Sequence, residues 1–96
     1  MGQQYEKRET TRVPIEIPIQ VGDDQGQSRD ISFSGIYFTI KKPFEPGESL
    51  QIVFELAHTV RDEPIHLDCQ GYVLRVEKVG QEYGVAAVIE DVTSLH

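Results

Sequence analysis

Cysteine and tryptophan are almost absent from the sequence, which contains one cysteine, Cys69, and no tryptophan. A single cysteine cannot form a disulfide within the chain, so a small scaffold held by internal disulfides is excluded and a reducing compartment is indicated. No apolar run is long enough to cross a bilayer, and the first residues lack the apolar core of a signal peptide. We therefore expect a folded cytoplasmic domain without membrane insertion.

Positive charge is also scarce. The chain has 9 Lys and Arg residues against 16 Asp and Glu residues, which gives a formal net charge of -7. Non-specific binding to nucleic acid or to an anionic membrane surface depends on an excess of cationic side chains, so we expect no DNA or RNA partner. The exception is local, because Lys7, Arg8 and Arg12 lie close together near the N-terminus.

Residues that carry catalysis or bind metals form no recognisable group. His58, His66 and His96 are scattered along the chain. Asp68 and Cys69 lie close to His66, but strand alternation places Cys69 on the opposite face from the other two. No Ser-His-Asp or Cys-His arrangement can be assembled. The sequence therefore predicts no metal, no cofactor and no enzymatic activity.

The most regular pattern covers residues 13–21, where apolar residues alternate with polar residues and prolines. Alternation with a period of two predicts a strand with one buried face. Pro14 and Pro18 remove two backbone donors from the same edge, so this edge is predicted to be unpaired or only partly paired. Residues 22–26 are rich in Gly and Asp and predict a hairpin turn.

Further strands are indicated at residues 27–31, 35–40, 50–56, 65–76 and 82–89, with a turn at 41–48 and a loop at 57–64. In the strand at 65–76 the apolar positions change phase by one residue: they are Ile65, Leu67 and Cys69, then Tyr72, Leu74 and Val76. A β-bulge at Gly71 would produce this change, because glycine accommodates the bulge conformation.

Regularly spaced strands without an amphipathic helix predict an all-β domain, either a barrel or a sandwich. We favour a six-stranded antiparallel β-barrel, because short sheets hide their edges best by closing. Residues 91–96 leave room for at most a short C-terminal helical turn. The predicted organisation is a flexible basic segment at 1–12, followed by the barrel at 13–96.

A polar stretch between residues 29 and 38 interrupts the strands and contains Asp30, Ser32, Ser34 and Gly35. An ionised carboxylate accepts the adjacent N1–H and N2–H2 donors of guanine, and serine hydroxyls donate to a phosphate or a base edge. Glycine lets a ligand approach the backbone closely. The ordinary alternative is a turn in which short polar side chains bond to their own backbone.

Arg8 and Arg12 are four residues apart, a spacing that puts both side chains on one side of a strand or a helix. Arginine forms bidentate hydrogen bonds with phosphate or with the O6 and N7 edge of guanine, and it stacks on bases. Together with Asp30, the pair fits a guanine nucleotide with more than one phosphate.

These residues resemble the two motifs of the PilZ domain family, the bacterial receptor module for the second messenger cyclic di-GMP. Arg8 and Arg12 match its Arg-x-x-x-Arg motif, and Asp30, Ser32 and Gly35 match its Asp/Asn-x-Ser-x-x-Gly motif. The last two predicted strands also resemble the family. The resemblance implies a six-stranded β-barrel that binds cyclic di-GMP on its outside through these five residues.

The resemblance to single-domain members implies that the chain acts through a separate protein partner, whose identity the sequence does not give. We expect residues 1–12 to be mobile without ligand and to order over it on binding, which changes the surface that the partner meets. Lys7 and Ser34 are additional candidate contacts. Two alternatives stay open: a PilZ-like adaptor that binds protein and no nucleotide, and a small β-barrel for single-stranded nucleic acid, which the net charge of -7 opposes.

Overall fold

The computed structural model describes residues 13–32, 34–56 and 65–95. Within these ranges the chain forms strands and turns and no helix. The seven strands are β1 (Val13–Pro14), β2 (Pro18–Val21), β3 (Asp24–Ile31), β4 (Gly35–Ile40), β5 (Ser49–Leu56), β6 (Ile65–Val79) and β7 (Glu82–Leu95).

The strands close into a barrel. They are hydrogen-bonded in the order β1-β3-β2-β5-β6-β7-β4, and β4 pairs back with β3. Six antiparallel strands, β2 to β7, therefore form a closed ring, and β1 is an additional short strand beside β3. The closing pair β2–β5 is the shortest of the six, with residue pairs only from Ile19 to Val21. The predicted six-stranded antiparallel β-barrel is confirmed.

The first predicted strand, at 13–21, is divided in two. Residues 15–17 separate β1 from β2, although the predicted alternation of burial persists through them. Pro18 begins β2 and pairs with Gln27 of β3, but it is not part of the pairing with β5. This agrees with the partly paired edge that the prolines predict.

A buried hydroxyl replaces the sheet hydrogen bonds at this division. The Ser28 side chain is fully buried, and its Oγ accepts the Ile17 N–H at 3.0 Å and donates to the Ile15 carbonyl at 2.6 Å. The backbone N–H of Ser28 donates to the Ile17 carbonyl at 2.9 Å. Because buried backbone groups need partners, Ser28 allows the first strand to break inside the sheet.

Inward side chains from the six strands of the ring, β2 to β7, fill the barrel. Phe38 and Val85 have no exposed surface, and Ile36 and Val73 are almost as deeply buried. Phe38 is the largest of the fully buried side chains, so the centre of the barrel is filled by an aromatic ring. A Phe→Ala substitution at such a position costs about 3–5 kcal/mol of folding stability.

The change of phase in β6 occurs later than predicted. The inward series continues through Cys69 and Gly71 to Val73, which is 1% exposed, while Leu74 is 56% exposed. Leu74 is the extra residue in the pairing with β7, since Val73 pairs with Ala87 and Arg75 with Ala86. The register between β6 and β7 does shift at Gly71, as predicted. The prediction is wrong about which strand bulges, because the extra residue is Glu90 of β7.

The turns and the C-terminus also sharpen the prediction. Gly22 (φ 59) and Gly80 (φ 60) each begin a two-residue hairpin turn, where a positive φ favours glycine. The first hairpin turn is shorter than the predicted 22–26, since β3 already begins at Asp24. The space left for a helical turn is taken by strand instead, because β7 continues to Leu95 along β6. The predicted loop at 57–64 and His96 lie outside the described residues.

Candidate functional site

Asp30 lies on the outer face of the barrel because β3 carries a bulge directly before it. Ser28 pairs with Phe38 and Asp30 pairs with Tyr37, which leaves Arg29 as an extra residue in the strand. Ser28 points inward, so a regular strand would turn Asp30 inward as well. The extra residue instead aligns Asp30 with the outward Tyr37.

The register of this strand pair and of three further pairs places Asp30 in a row that runs across the outside of the barrel. Pro14 pairs with Asp30, Asp30 with Tyr37, Tyr37 with Ala86, and Ala86 with Arg75. Residues directly opposite each other in antiparallel strands point to the same face. Asp30 and Arg75 are therefore on one surface although they are far apart in sequence.

A shallow concavity of about 230 Å³ lies along this row and is lined by Asp30, Tyr37, Arg75, Glu77 and Ala86. The Tyr37 hydroxyl donates to Glu77 Oε2 at 2.6 Å, and Arg75 Nη1 lies 3.8 Å from Glu77 Oε1. The hydrogen bond to Glu77, followed by burial, raises the pKa of Tyr37 above its usual value of 10.0. The concavity thus holds two carboxylates, a guanidinium and a neutral phenol.

Small residues on β7 make room for the tyrosine. A Cβ at Gly84 would collide with the Tyr37 hydroxyl, so the phenol crosses β7 directly over this glycine. Gly84 pairs with Glu77, which explains how a side chain on β4 reaches a carboxylate on β6. Ala86, only 6% exposed, forms the floor between Tyr37 and Arg75.

The turn from β3 to β4 carries the other two residues of the predicted serine–glycine motif. The backbone N–H of Ser32 donates to the Gly35 carbonyl at 2.9 Å, and its hydroxyl donates to the same oxygen at 3.4 Å. The Ser34 carbonyl accepts the Ile89 N–H at 2.9 Å, and its side chain is exposed. Ser32 thus bonds to the backbone of its own turn, which is the ordinary alternative that the sequence offers.

Packing between neighbouring strands requires a glycine at position 35, and the sequence does not reveal this requirement. Gly35 is buried at the start of β4, and a Cβ there would lie 2.9 Å from the Ala87 carbonyl oxygen and 3.8 Å from Ser32 Oγ. A separation of 2.9 Å is closer than an ordinary van der Waals contact, so a side chain would push β4 away from β7. The glycine is needed for strand packing whether or not a ligand is bound.

Arg8, Arg12 and Lys7 lie outside the described residues. The nearest described residue, Val13, pairs with Ile31, immediately before Ser32. Because β1 runs antiparallel to β3, the chain enters the barrel beside the turn that contains Ser32.

Other features of the described residues offer no competing site of the predicted kind. Another concavity, of about 310 Å³, is lined by residues at the opposite end of β3 and β4, including Gln25, Thr39 and Glu82, and its lining includes none of the described motif residues. Within ranges 13–32, 34–56 and 65–95, no group of three or more His, Cys, Asp and Glu side chains could hold a metal ion. Among those same residues no helix has the length and apolar character to cross a membrane.

Tyr37, Arg75 and Glu77 are not among the predicted site residues. The sequence gives one indication of Arg75 and Glu77: they stand two positions apart at the end of a predicted strand, so both side chains lie on its outer face. The small residues Gly84 and Ala86 belong to the next predicted strand. The position of Arg75 and Glu77 on the same face of the barrel as Asp30 depends on the bulges at Arg29 and Leu74. A pattern of apolar residues does not locate these bulges.

The barrel has known counterparts. The family model of the PilZ domain matches residues 4–94. No curated protein matches the sequence. Among solved structures, the fold is similar to that of the Bacillus subtilis inhibitor of motility, MotI/DgrA, with a TM-score of 0.74 over 95% of this chain and a sequence identity of 18%. This chain covers 46% of that protein, and at this identity the likeness concerns the fold.

The family match spans both predicted motifs and all but the last residue of the described barrel. The closed six-stranded barrel and its similarity to the solved structure agree with this match. The chain belongs to the PilZ domain family.

Proposed function

We propose that the protein is a cytoplasmic receptor domain for cyclic di-GMP, without enzymatic activity, that orders its N-terminal arginine segment on binding and thereby signals to a separate protein partner. Membership of the PilZ family supports a receptor or adaptor role. The identity of the ligand as cyclic di-GMP and the action through a separate protein partner are what we propose.

One observation supports the proposal: the register brings Val13, the residue after Arg12, to the end of β3 that carries Asp30. Val13, next in sequence to Arg12, pairs with Ile31, while Pro14 pairs with Asp30. The chain that carries Arg8 and Arg12 therefore joins the barrel beside the carboxylate that would hold a base. The described chain thus begins at the end of the barrel where the proposed ligand would bind to Asp30.

The chemistry of the proposed roles follows from the groups. Asp30 accepts the N1–H and N2–H2 donors of guanine from the barrel side, beside the Ser32 turn. Arg8 and Arg12 bind phosphate oxygens or the O6 and N7 edge of the base from the other side, with Lys7 and Ser34 as additional contacts. The ligand shifts the N-terminal segment only by binding its ordered state more tightly than its other states.

Calorimetric titration with cyclic di-GMP, together with a thermal melt, tests the proposal. At a ligand concentration of about 100 times Kd the fold should gain about 2.7 kcal/mol, which raises Tm by on the order of 10 °C for a domain of this size. Cyclic di-AMP is the matched control, because adenine lacks the N1–H and N2–H2 donors that Asp30 would accept. If cyclic di-GMP gives neither heat nor a shift in Tm, the receptor proposal is wrong.

A second candidate is an adaptor that binds a protein partner without nucleotide. Leu74, which is 56% exposed at the β6 bulge directly beside Arg75, is an apolar side chain that such a partner would cover. Silent calorimetry with cyclic di-GMP would favour this candidate.

A further inference from the structure

The concavity beside Asp30 contains one cation, and that cation already has a partner within the barrel. Among the described residues that line it, Arg75 carries the positive charge, whereas Asp30 and Glu77 are acidic. Glu77 lies 3.8 Å from the guanidinium through Oε1 and accepts the Tyr37 hydroxyl at 2.6 Å through Oε2. A single carboxylate thus engages both lining side chains that could donate a hydrogen bond to an anion.

A cyclic dinucleotide carries a negative charge on each of its two phosphodiesters. Among the described residues that line the concavity, Arg75 is the cation that the barrel can turn toward such an anionic ligand. We propose that Glu77 competes with the nucleotide for Arg75: the guanidinium exchanges the Glu77 carboxylate for a phosphate oxygen or the O6 and N7 edge of a guanine when the ligand binds. This inference rests on the proposed function and adds Arg75 and Glu77 to its site.

The contacts allow such an exchange at a small cost. The Arg75 and Glu77 side chains are 63% and 53% exposed, and their closest N–O separation is longer than that of a direct hydrogen bond. A pair this exposed changes an equilibrium constant by no more than about fivefold. Tyr37 is held over Gly84 and keeps the Glu77 carboxylate in place, so Arg75 is the member of the network that is free to turn.

The position of Arg75 also suits this role. It lies in the same lateral row as Asp30, two strands beyond Tyr37, with the alanine floor of the concavity between. A guanidinium in this place faces a ligand at Asp30 from the barrel side. Guanidinium is suited to the exchange because it forms forked hydrogen bonds equally well with carboxylate, phosphate and guanine.

Glu77→Gln tests the competition directly. The amide oxygen still accepts the Tyr37 hydroxyl, but the negative charge is removed. We expect the affinity for cyclic di-GMP, measured by calorimetry at low salt, to rise about fivefold, and the gain to shrink at high salt because surface charges are screened. Glu45→Gln is the matched control: it removes the same charge from an exposed loop residue that does not line the concavity. It should leave the affinity within about a factor of two.

A double-mutant cycle with Arg75→Gln separates competition for Arg75 from simple repulsion of the ligand. If the proposal holds, Arg75→Gln weakens binding, and Glu77→Gln no longer strengthens it in that background. An equal gain in both backgrounds would mean that Glu77 repels the ligand directly, and would overturn the proposal. Absence of a gain in the wild-type background, where Arg75 is present, would overturn it too.

The two proposals fail in different ways. If the wild-type protein binds cyclic di-GMP and Glu77→Gln binds it no more tightly, only the competition is wrong. If the wild-type protein and every variant are silent, the proposed function is wrong and this inference fails with it.

Discussion

Asp30 and Tyr37 lie directly opposite each other on the outside of the barrel, and they do so because Arg29 is an extra residue in β3. The bulge reverses the face on which Asp30 lies relative to the buried Ser28. A polar motif residue in a strand is thus turned outward by a local irregularity, while the strand keeps its inward side chains on either side of it. The position of Asp30 on the outer surface therefore depends on the contacts that hold this part of β3 in its bulged conformation.

Ser28→Ala should destabilise the fold strongly for so small a change. It removes the hydroxyl that satisfies the Ile17 N–H and the Ile15 carbonyl at a fully buried position. A buried backbone group left without a partner costs about 1–3 kcal/mol. Urea denaturation monitored by circular dichroism measures the loss. Ser49→Ala, at an exposed strand end, is the control and should stay within about 0.5 kcal/mol of the wild type.

Gly35→Ala should destabilise the barrel even without any ligand. The new Cβ would lie 2.9 Å from the Ala87 carbonyl oxygen, which belongs to the backbone of the neighbouring strand and cannot turn aside. Forcing extra volume into a packed site costs about 1–3 kcal/mol. Differential scanning calorimetry of the protein alone measures this. An unchanged Tm would contradict the packing role of the glycine.

The sequence predicts the barrel well because the inward rows of a small closed sheet leave a regular pattern. The alternation at residues 13–21 and the apolar strand Gly35–Ile40 both appear as expected. The face of the sheet on which a given side chain lies is harder to predict. Ser28 is polar but buried, and Leu74 is apolar but exposed. Each belongs to a bulge region, where contacts with a neighbouring strand decide the conformation.

The same reason limits prediction of the site. Asp30 and Ser32 can be found from the sequence because they are close together in one motif. Arg75 and Glu77 lie more than forty positions later, and they reach the same surface only through the exact register of β3, β4, β7 and β6. Side-chain type alone cannot supply that register.

The Cys69 thiol should react slowly in the native protein. It is 2% exposed, and burial, followed by the neighbouring Asp68 charge, raises its pKa above the ordinary value of 9.0. Because only the thiolate reacts with a disulfide reagent, both effects protect it. The rate of reaction with a chromogenic disulfide at pH 8 should rise by orders of magnitude in urea. A fast reaction in native buffer would contradict the buried position of the side chain.

Tyr37 should make the stability of the protein fall at alkaline pH. Its pKa is raised above 10.0 in the folded state, first by the hydrogen bond to Glu77 and then by burial. A raised pKa gives stability that is fully present below the unfolded value and is lost as pH rises through the folded value. Urea denaturation between pH 9 and 11 should therefore show a smaller decline for Tyr37→Phe than for the wild type. An equally steep decline for Tyr37→Phe and the wild type would contradict this role of Tyr37.

Arg12→Lys should weaken cyclic di-GMP binding at least about tenfold if Arg12 has the proposed role. Lysine keeps the positive charge but loses the forked donors and the planar stacking surface, and a bidentate contact to guanine is worth about 1–3 kcal/mol. Simple charge attraction would be unaffected, so the substitution isolates the geometry of the guanidinium. Calorimetry on the full chain measures the change in Kd.

Arg29→Lys makes the same exchange at a residue whose guanidinium instead pairs with Glu16 at 3.6 Å. It should alter Kd by less than about twofold, because an exposed ion pair of this kind contributes little. Equal affinities for Arg12→Lys and the wild type would show that Arg12 acts through charge alone, and the base would then have to be held by the barrel side. In that case Asp30→Ala should abolish the preference for cyclic di-GMP over cyclic di-AMP by itself, since no other described group of the motif accepts from both guanine donors.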